Sequence, residues 1–219
     1  MSDMLDCTDP STRPIAIGAA ARAVKGGSVV VLPTDTLYGI GVDAFNSRAV
    51  DELLAAKGRG RDMPVPVLVG SWSTIDGLVS NVSSQVRDVI EAFWPGGLTI
   101  VVAHAPSLAW DLGDSRGTVA IRMPLHPVAL DLLAATGPMA VSSANRTSMP
   151  PATTVGEAYD QLGESVSVYL DGGEAPIGRP STIIDLTGDV AVIAREGAVS
   201  VHQLREVLGA VTVAGHPDR

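Results

Sequence analysis

Three cations fall within five residues of this 219-residue chain, Lys57, Arg59 and Arg61 in the run KGRGRD. In an extended segment alternate side chains share a side. The three would then converge, and converging like charges need an anion between them. A polyphosphate suits, because arginine grips phosphate oxygens in pairs and lysine adds a point charge. A solvated charge run in a loop is the plainer alternative. The stretch VSSANRTS (141–148) brings the hydroxyls of Ser142 and Ser143, the amide of Asn145 and the N–H groups of a small-residue loop. Such a set donates to phosphate or carboxylate and reads a purine or ribose edge. A serine-rich turn bonded to itself is its plainer alternative. Arg122 ends VAIR and Arg195 ends VAVIAR, where a cation is either paired within the fold or faces a ligand. Ser181 and Thr182 open STIIDL, where capping of the strand is the simpler role.

A fourth stretch, SVVVLPTDTLYGIG (28–41), poses a question. An apolar strand ends in two threonine hydroxyls (Thr34, Thr36), a carboxylate (Asp35), a phenol (Tyr38) and two glycines (Gly39, Gly41). Neither a Walker A loop nor a GxGxxG pattern is present. His104, His126, His202 and His216 show no metal-ligand spacing, and a lone Cys7 allows neither a disulfide nor a cysteine-based zinc site within the chain. No GxSxG marks a serine hydrolase.

These side chains must be held by alternating elements. The patterning predicts helices over 14–27, 46–58, 83–97, 127–136, 154–162 and 201–209. Strands are predicted at 28–32, 65–70, 98–104, 117–124, 138–143, 166–170, 181–186 and 190–195, with Pro66 marking the second as an edge or bulge. The fold class is therefore α/β with a mixed sheet flanked by helices. Residues 1–13 are expected to form a flexible tail, 14–209 the catalytic domain and 210–219 a frayed C-terminal tail. Hydrophobic residues make up 46% of the chain, enough for one sizeable core. The net charge of −9 argues against tight non-specific binding to nucleic acid. The polar, acidic N-terminus is no signal peptide, and no apolar run approaches the roughly 18 residues of a membrane span, so a cytoplasmic protein is expected. Only two lysines, Lys25 and Lys57, stand against thirteen arginines, which gives each surviving lysine a claim to a specific task.

Taken in order, LPTDTLYGIGVDA, KGR followed by Pro64, FWPGGLTIVV, VAIRMP, SSAN, STIIDL and IAREGAVS resemble the YrdC-type family, the L-threonylcarbamoyladenylate synthases of tRNA modification. The resemblance spans about residues 15 to 205. It implies a twisted mixed sheet around a deep concave groove. The implied activity is condensation of L-threonine, bicarbonate and ATP, with Mg²⁺, to threonylcarbamoyl-AMP and pyrophosphate. A partner complex then transfers the threonylcarbamoyl group to tRNA. The family's lysine–x–arginine and serine–x–asparagine tetrad falls on Lys57, Arg59, Ser143 and Asn145. Lys57 and Arg59 would be catalytic. Together with Ser143, Ala144, Asn145 and Arg195 they would hold ATP. Thr36, Arg122, Ser142 and Ser181 would hold threonine, with Thr34 and Tyr38 nearby and the glycines letting ligand approach. No residue is assigned to a metal. Gly60, Met63 and Leu68 stand where many or some members carry other residues. As loop cations, Lys57 and Arg59 are expected to add little to stability. The competing readings are a paralogue of the same fold without synthase activity and an RNA-binding protein using the groove.

Overall fold

Residues 29–32 alternate between two cores. Val29 and Val31 enter one, Val30 and Leu32 the other. A strand buried on both faces must sit inside a sheet covered on both sides. In this computed structural model, which describes residues 2–215, it does. The strands are β1 (Asp3–Asp6), β2 (Val30–Leu32), β3 (Gly39–Asp43), β4 (Val67–Leu68), β5 (Leu98–Ala103), β6 (Thr118–Arg122), β7 (Met139–Ser143), β8 (Val168–Asp171), β9 (Thr182–Asp185), β10 (Ala191–Arg195) and β11 (Val211–Val213). They form one twisted mixed sheet in the order β1-β8-β2-β3-β7-β4-β6-β5-β9-β10-β11. The helices are α1 (Arg13–Lys25), α2 (Ser47–Lys57), α3 (Ser84–Phe93), α4 (Pro127–Thr136), α5 (Val155–Leu162) and α6 (Val201–Leu208).

Apolar faces of α1 and α4 cover Leu32, Leu68, Met139 and Val141 on one side of the sheet. The other side packs on α2, α3, α5 and Leu204 of α6. Local chemistry sets the ends of α2. The Asn46 side chain accepts from Ala49 N–H, and Gly58 closes the helix in the left-handed conformation at φ 62°. Lys57 is thereby the last helical residue, and Arg59 leaves on the turn that follows.

The structure departs from the sequence reading at several elements. The expected N-terminal tail contains β1, an edge strand in parallel register with β8. The expected C-terminal tail contains β11, paired with β10; residues 216–219, and with them His216, lie outside the described residues. Asp3 and Asp6 are tolerated in β1 because both are exposed at the sheet edge, whereas β11 is the short run Val-Thr-Val with Val211 buried. The strand around Pro66 is central rather than an edge, held between β7 and β6. Pro66 precedes the paired residues, and only its carbonyl is used, accepting Val141 N–H at 2.8 Å.

The glycines of GIG form β3 itself. Its poor strand propensity is overridden by pairing with β2 on one side and β7 on the other. Both glycines serve packing rather than ligand approach. A Cβ on Gly39 would lie 2.6 Å from Val141 Cγ1, and one on Gly41 2.9 Å from Val141 Cγ2. Gly39→Ala is expected to destabilise by about 1–3 kcal/mol, the usual range for overpacking. Combined with Val141→Ala the loss should fall well short of additive, because the second change removes the clash. An unchanged melt with weakened substrate binding would return Gly39 to the ligand side.

Candidate active site

Strand directions set the problem the site must solve. β2 and β7 run parallel to one another and antiparallel to β6, so the ends of β2 and β6 lie at opposite edges of the sheet. Yet Arg122, the last residue of β6, donates from one terminal nitrogen to Thr36 Oγ1 at 2.7 Å and from the other to Asp35 Oδ1 at 2.6 Å. The connection 33–38 therefore crosses that gap. Thr34 shapes it: its hydroxyl accepts the N–H groups of Thr36 and Leu37 and donates to Leu37 O. The register places Arg122 beside Leu68, on the α1/α4 side. Further along that side Val101, Ala120 and Ile183 stay outside the core and are only half-buried. Here the sheet face is open to a ligand.

Arg122 is 6% exposed and Asp35 2%. Arg122 Nε also donates to Gly96 O at 2.8 Å, and Leu125 N–H donates to Asp35 Oδ1 at 2.9 Å. Asp35 Oδ2 is buried without a hydrogen-bond partner. Burial pulls the Arg122 pKa down, Asp35 opposes this, and nearby Arg195 adds to the pull. A second guanidinium close enough to disfavour the charge of Arg122 makes an anion beside the two favourable. Arg195 itself reaches Ser181, donating to its carbonyl at 2.8 Å and its hydroxyl at 3.3 Å. Ser181 Oγ lies 2.8 Å from Thr99 Oγ1. Thr99 escaped the sequence reading; its one signal is a polar residue at an alternate position of an apolar strand. Thr182 fixes the neighbouring turn, accepting Gly197 N–H and Val199 N–H. A cavity of about 400 Å³, lined in part by Arg179, Glu196 and Gly197, opens beside this pair.

The second cluster gathers at the end of β7. Lys57 is 3% exposed, so it is not a loop cation. Its ammonium donates to Ser143 O and, at 2.7 Å, to Asn145 O. Burial, with Arg59 next, lowers its pKa from 10.5 to about 8. Asn145 donates to Arg146 O and Met149 O, each at 2.8 Å, which closes the SSAN loop on itself. Arg59 donates to Ser142 Oγ at 3.0 Å and to Pro64 O at 3.3 Å, while its buried Nε has no partner. Lys57, Arg59 and Arg195 form no ion pair among the described residues.

Arg61 does not join the convergence expected of it. The segment after α2 is a turn rather than an extended strand, and Arg61 points to Asp51 and Asp111 instead. Tyr38 also faces elsewhere: its hydroxyl donates to Gly173 O at 2.6 Å and accepts Gly172 N–H at 3.1 Å. Its main chain still serves the site, since Tyr38 O accepts Ala144 N–H at 2.8 Å and so ties 33–38 to the SSAN loop. Asp43 Oδ1 accepts Phe45 N–H at 2.9 Å, a turn-capping role. Among the described residues no group of three or more His, Cys, Asp or Glu is placed to hold a metal, and no helix is long and apolar enough to cross a membrane.

Two hydrogen bonds join residues expected to hold different substrates. Arg59, expected at ATP, donates to Ser142, expected at threonine. Arg195, expected at ATP, donates to Ser181, expected at threonine.

Comparison with known proteins gives a consistent picture. Residues 22–197 match the Sua5/YciO/YrdC family model, described as telomere recombination. The chain is 58% identical over 211 residues to a putative threonylcarbamoyl-AMP synthase of Mycobacterium leprae (strain TN), covering 96% of both chains. It is 34% identical over 212 residues to the threonylcarbamoyl-AMP synthase of Bacillus subtilis (strain 168), covering 95% of this chain and 61% of that one. The crystal structure of P. abyssi Sua5 complexed with L-threonine superposes with a TM-score of 0.90 at 29% identity, over 97% of this chain and 62% of the other. The chain thus spans nearly the whole mycobacterial relative and about three fifths of the Bacillus and Pyrococcus ones.

Proposed function

The chain belongs to the Sua5/YciO/YrdC family, and from that premise and its two interlocked residue sets we infer that it is a threonylcarbamoyl-AMP synthase, a nucleotidyltransferase that uses ATP. The observation that carries this reading is the pairing of Ser142 with Arg59 and of Ser181 with Arg195. A product whose amino-acid end is covalently joined to a nucleotide needs its two binding sets in contact.

We assign Thr36, Arg122, Ser142 and Ser181 to L-threonine, and Lys57, Arg59, Ser143, Ala144, Asn145 and Arg195 to ATP. Arg122 has five N–H groups. Three are committed to Gly96, Thr36 and Asp35, which aim the guanidinium, and two remain for the threonine carboxylate. The amine of threonine and bicarbonate give a carbamate and water. A carbamate oxygen attacks the α-phosphorus of ATP, the bond to the bridging oxygen breaks, and pyrophosphate leaves. No enzyme nucleophile is needed. The chain orients the reactants and neutralises charge as it shifts along the phosphates. Magnesium would arrive bound to ATP through phosphate oxygens. Asp35 Oδ1 is taken by Arg122 and Leu125 N–H and Asp43 Oδ1 by Phe45 N–H, and neither aspartate is assigned to it. The mixed anhydride would pass, in the cytoplasm, to a complex that modifies tRNA.

The test is an incubation with ATP, L-threonine and bicarbonate, each omitted in turn. Pyrophosphate release should require all three and match the mixed anhydride found by mass analysis. Equal release without threonine would make the protein an ATPase and reject the reading.

A further inference from the structure

Arg61 touches none of the residues assigned to a substrate, yet it is tied more fully than any other exposed arginine among the described residues. One terminal nitrogen donates to Asp51 on α2 and the other to Asp111 in the loop between β5 and β6. Its carbonyl accepts Asp114 N–H at 2.8 Å. Gly113 lets that loop come close: at φ 102°, its Cβ position would lie 2.7 Å from Arg61 O. Asp111 also accepts Gly113 N–H at 3.3 Å, so one carboxylate shapes the loop and holds the arginine. Four residues on, Val65 N–H donates to Leu112 O at 2.9 Å. Trp110, next to Asp111, stacks on Phe45 at 5.7 Å between centroids, which anchors the far end of the contact.

Arg59 lies two residues before this anchored segment. Its backbone is held by Leu54 O, its guanidinium by Pro64 O and Ser142 Oγ. The turn 60–64 decides where Pro64 O stands, and it opens on Gly60, with Gly58 on the other side of Arg59. We propose that the Asp51–Arg61–Asp111 clamp is a positioning device for nucleotide binding: it sets the 60–64 turn and through it the direction of Arg59. This rests on the assignment of Arg59 to ATP. Arg61 is a positioning residue and meets no phosphate. Because the clamp lies on the surface, its grip weakens as salt screens it.

Arg61→Ala is expected to weaken ATP binding roughly 3–10-fold at low salt, the range that two exposed ion pairs can supply. L-threonine binding should weaken less than ATP binding, because only one of its four assigned residues, Ser142, contacts Arg59. Raising salt towards about 1 M should bring variant and wild type together, as the Debye length falls to a few ångström. Arg61→Lys should recover part of the loss, since one ammonium cannot fork between two carboxylates. Hydrogen exchange supplies a readout independent of activity. Val65 and Asp114 amides should exchange faster in Arg61→Ala, and an Asp111→Asn variant should repeat the pattern. Unchanged ATP affinity, equal loss for ATP and threonine, or a salt-independent ratio would each overturn the proposal. Arg59→Ala serves as the reference: if it leaves ATP affinity intact, the nucleotide assignment fails, and the clamp's role with it.

Discussion

Arg122→Ala or Asp35→Ala alone is expected to cost the fold about 3–5 kcal/mol, the range for breaking one side of a buried ion pair. For a chain of this size the melting temperature should then fall by about 6–20 °C. Both side chains are almost wholly buried. Removing Asp35 leaves a buried guanidinium with only Gly96 O and Thr36 Oγ1. Removing Arg122 leaves a carboxylate with Leu125 N–H alone, and its Oδ2 already lacks a partner. Arg122→Met with Asp35→Leu should regain most of the stability, since an apolar pair has no charge to desolvate, and should still bind no threonine. Arg122→Lys separates the two roles. An ammonium has three N–H groups and three protein partners waiting, so none remains for the substrate. Threonine affinity should drop far more than ATP affinity by calorimetry. A melt of Arg122→Ala within about 2 °C of wild type would mean that the pair does not hold the 33–38 connection in place.

The sequence made the residue types legible but not their partners. Helix α2 is read from Asn46 to Gly58 because its capping chemistry is local. β3 is missed because its strand character comes wholly from β2 and β7, and GIG has little preference of its own. Arg61 follows the same rule. Alternation assigns its side only if the segment is extended, and the two glycines flanking Arg59 free it to turn. Asp35 beside Arg122 lies 87 residues away in the chain, and no local pattern announces such a pair. The SSAN loop shows the reverse: its hydroxyls and amide read as ligand groups, yet the Asn145 amide is spent on Arg146 O and Met149 O, the Ser142 hydroxyl accepts from Arg59, and Lys57 takes the loop's carbonyls.

Lys57→Ala should lower the rate of product formation at least about 10²-fold, as removal of a preorganised electrostatic donor does. It should also lower the melting temperature, because Ser143 O and Asn145 O lose a buried donor. The pH dependence makes the stronger test. Burial first, and Arg59 second, bring the Lys57 pKa from 10.5 to about 8. Below that pH the lysine is charged in both the folded and unfolded chain. Between about 8 and 10.5 the unfolded chain holds a proton that the folded one has released, so stability should rise with pH across that window on this residue's account. ATP affinity should move the other way, falling above about pH 8 as the cation disappears. Burial pushes Cys7 up to about 11, and Tyr38 and Tyr169 well above the usual phenol value, so none of these three titrates near pH 8. Lys57→Met keeps the length and removes the charge, and it should flatten both trends. Equilibrium binding of ATP without threonine, run beside melts at each pH, reads the two trends on one sample. A wild-type affinity that stays level through pH 8, or an identical decline in Lys57→Met, would take Lys57 out of the phosphate site and leave it as the brace of the SSAN loop.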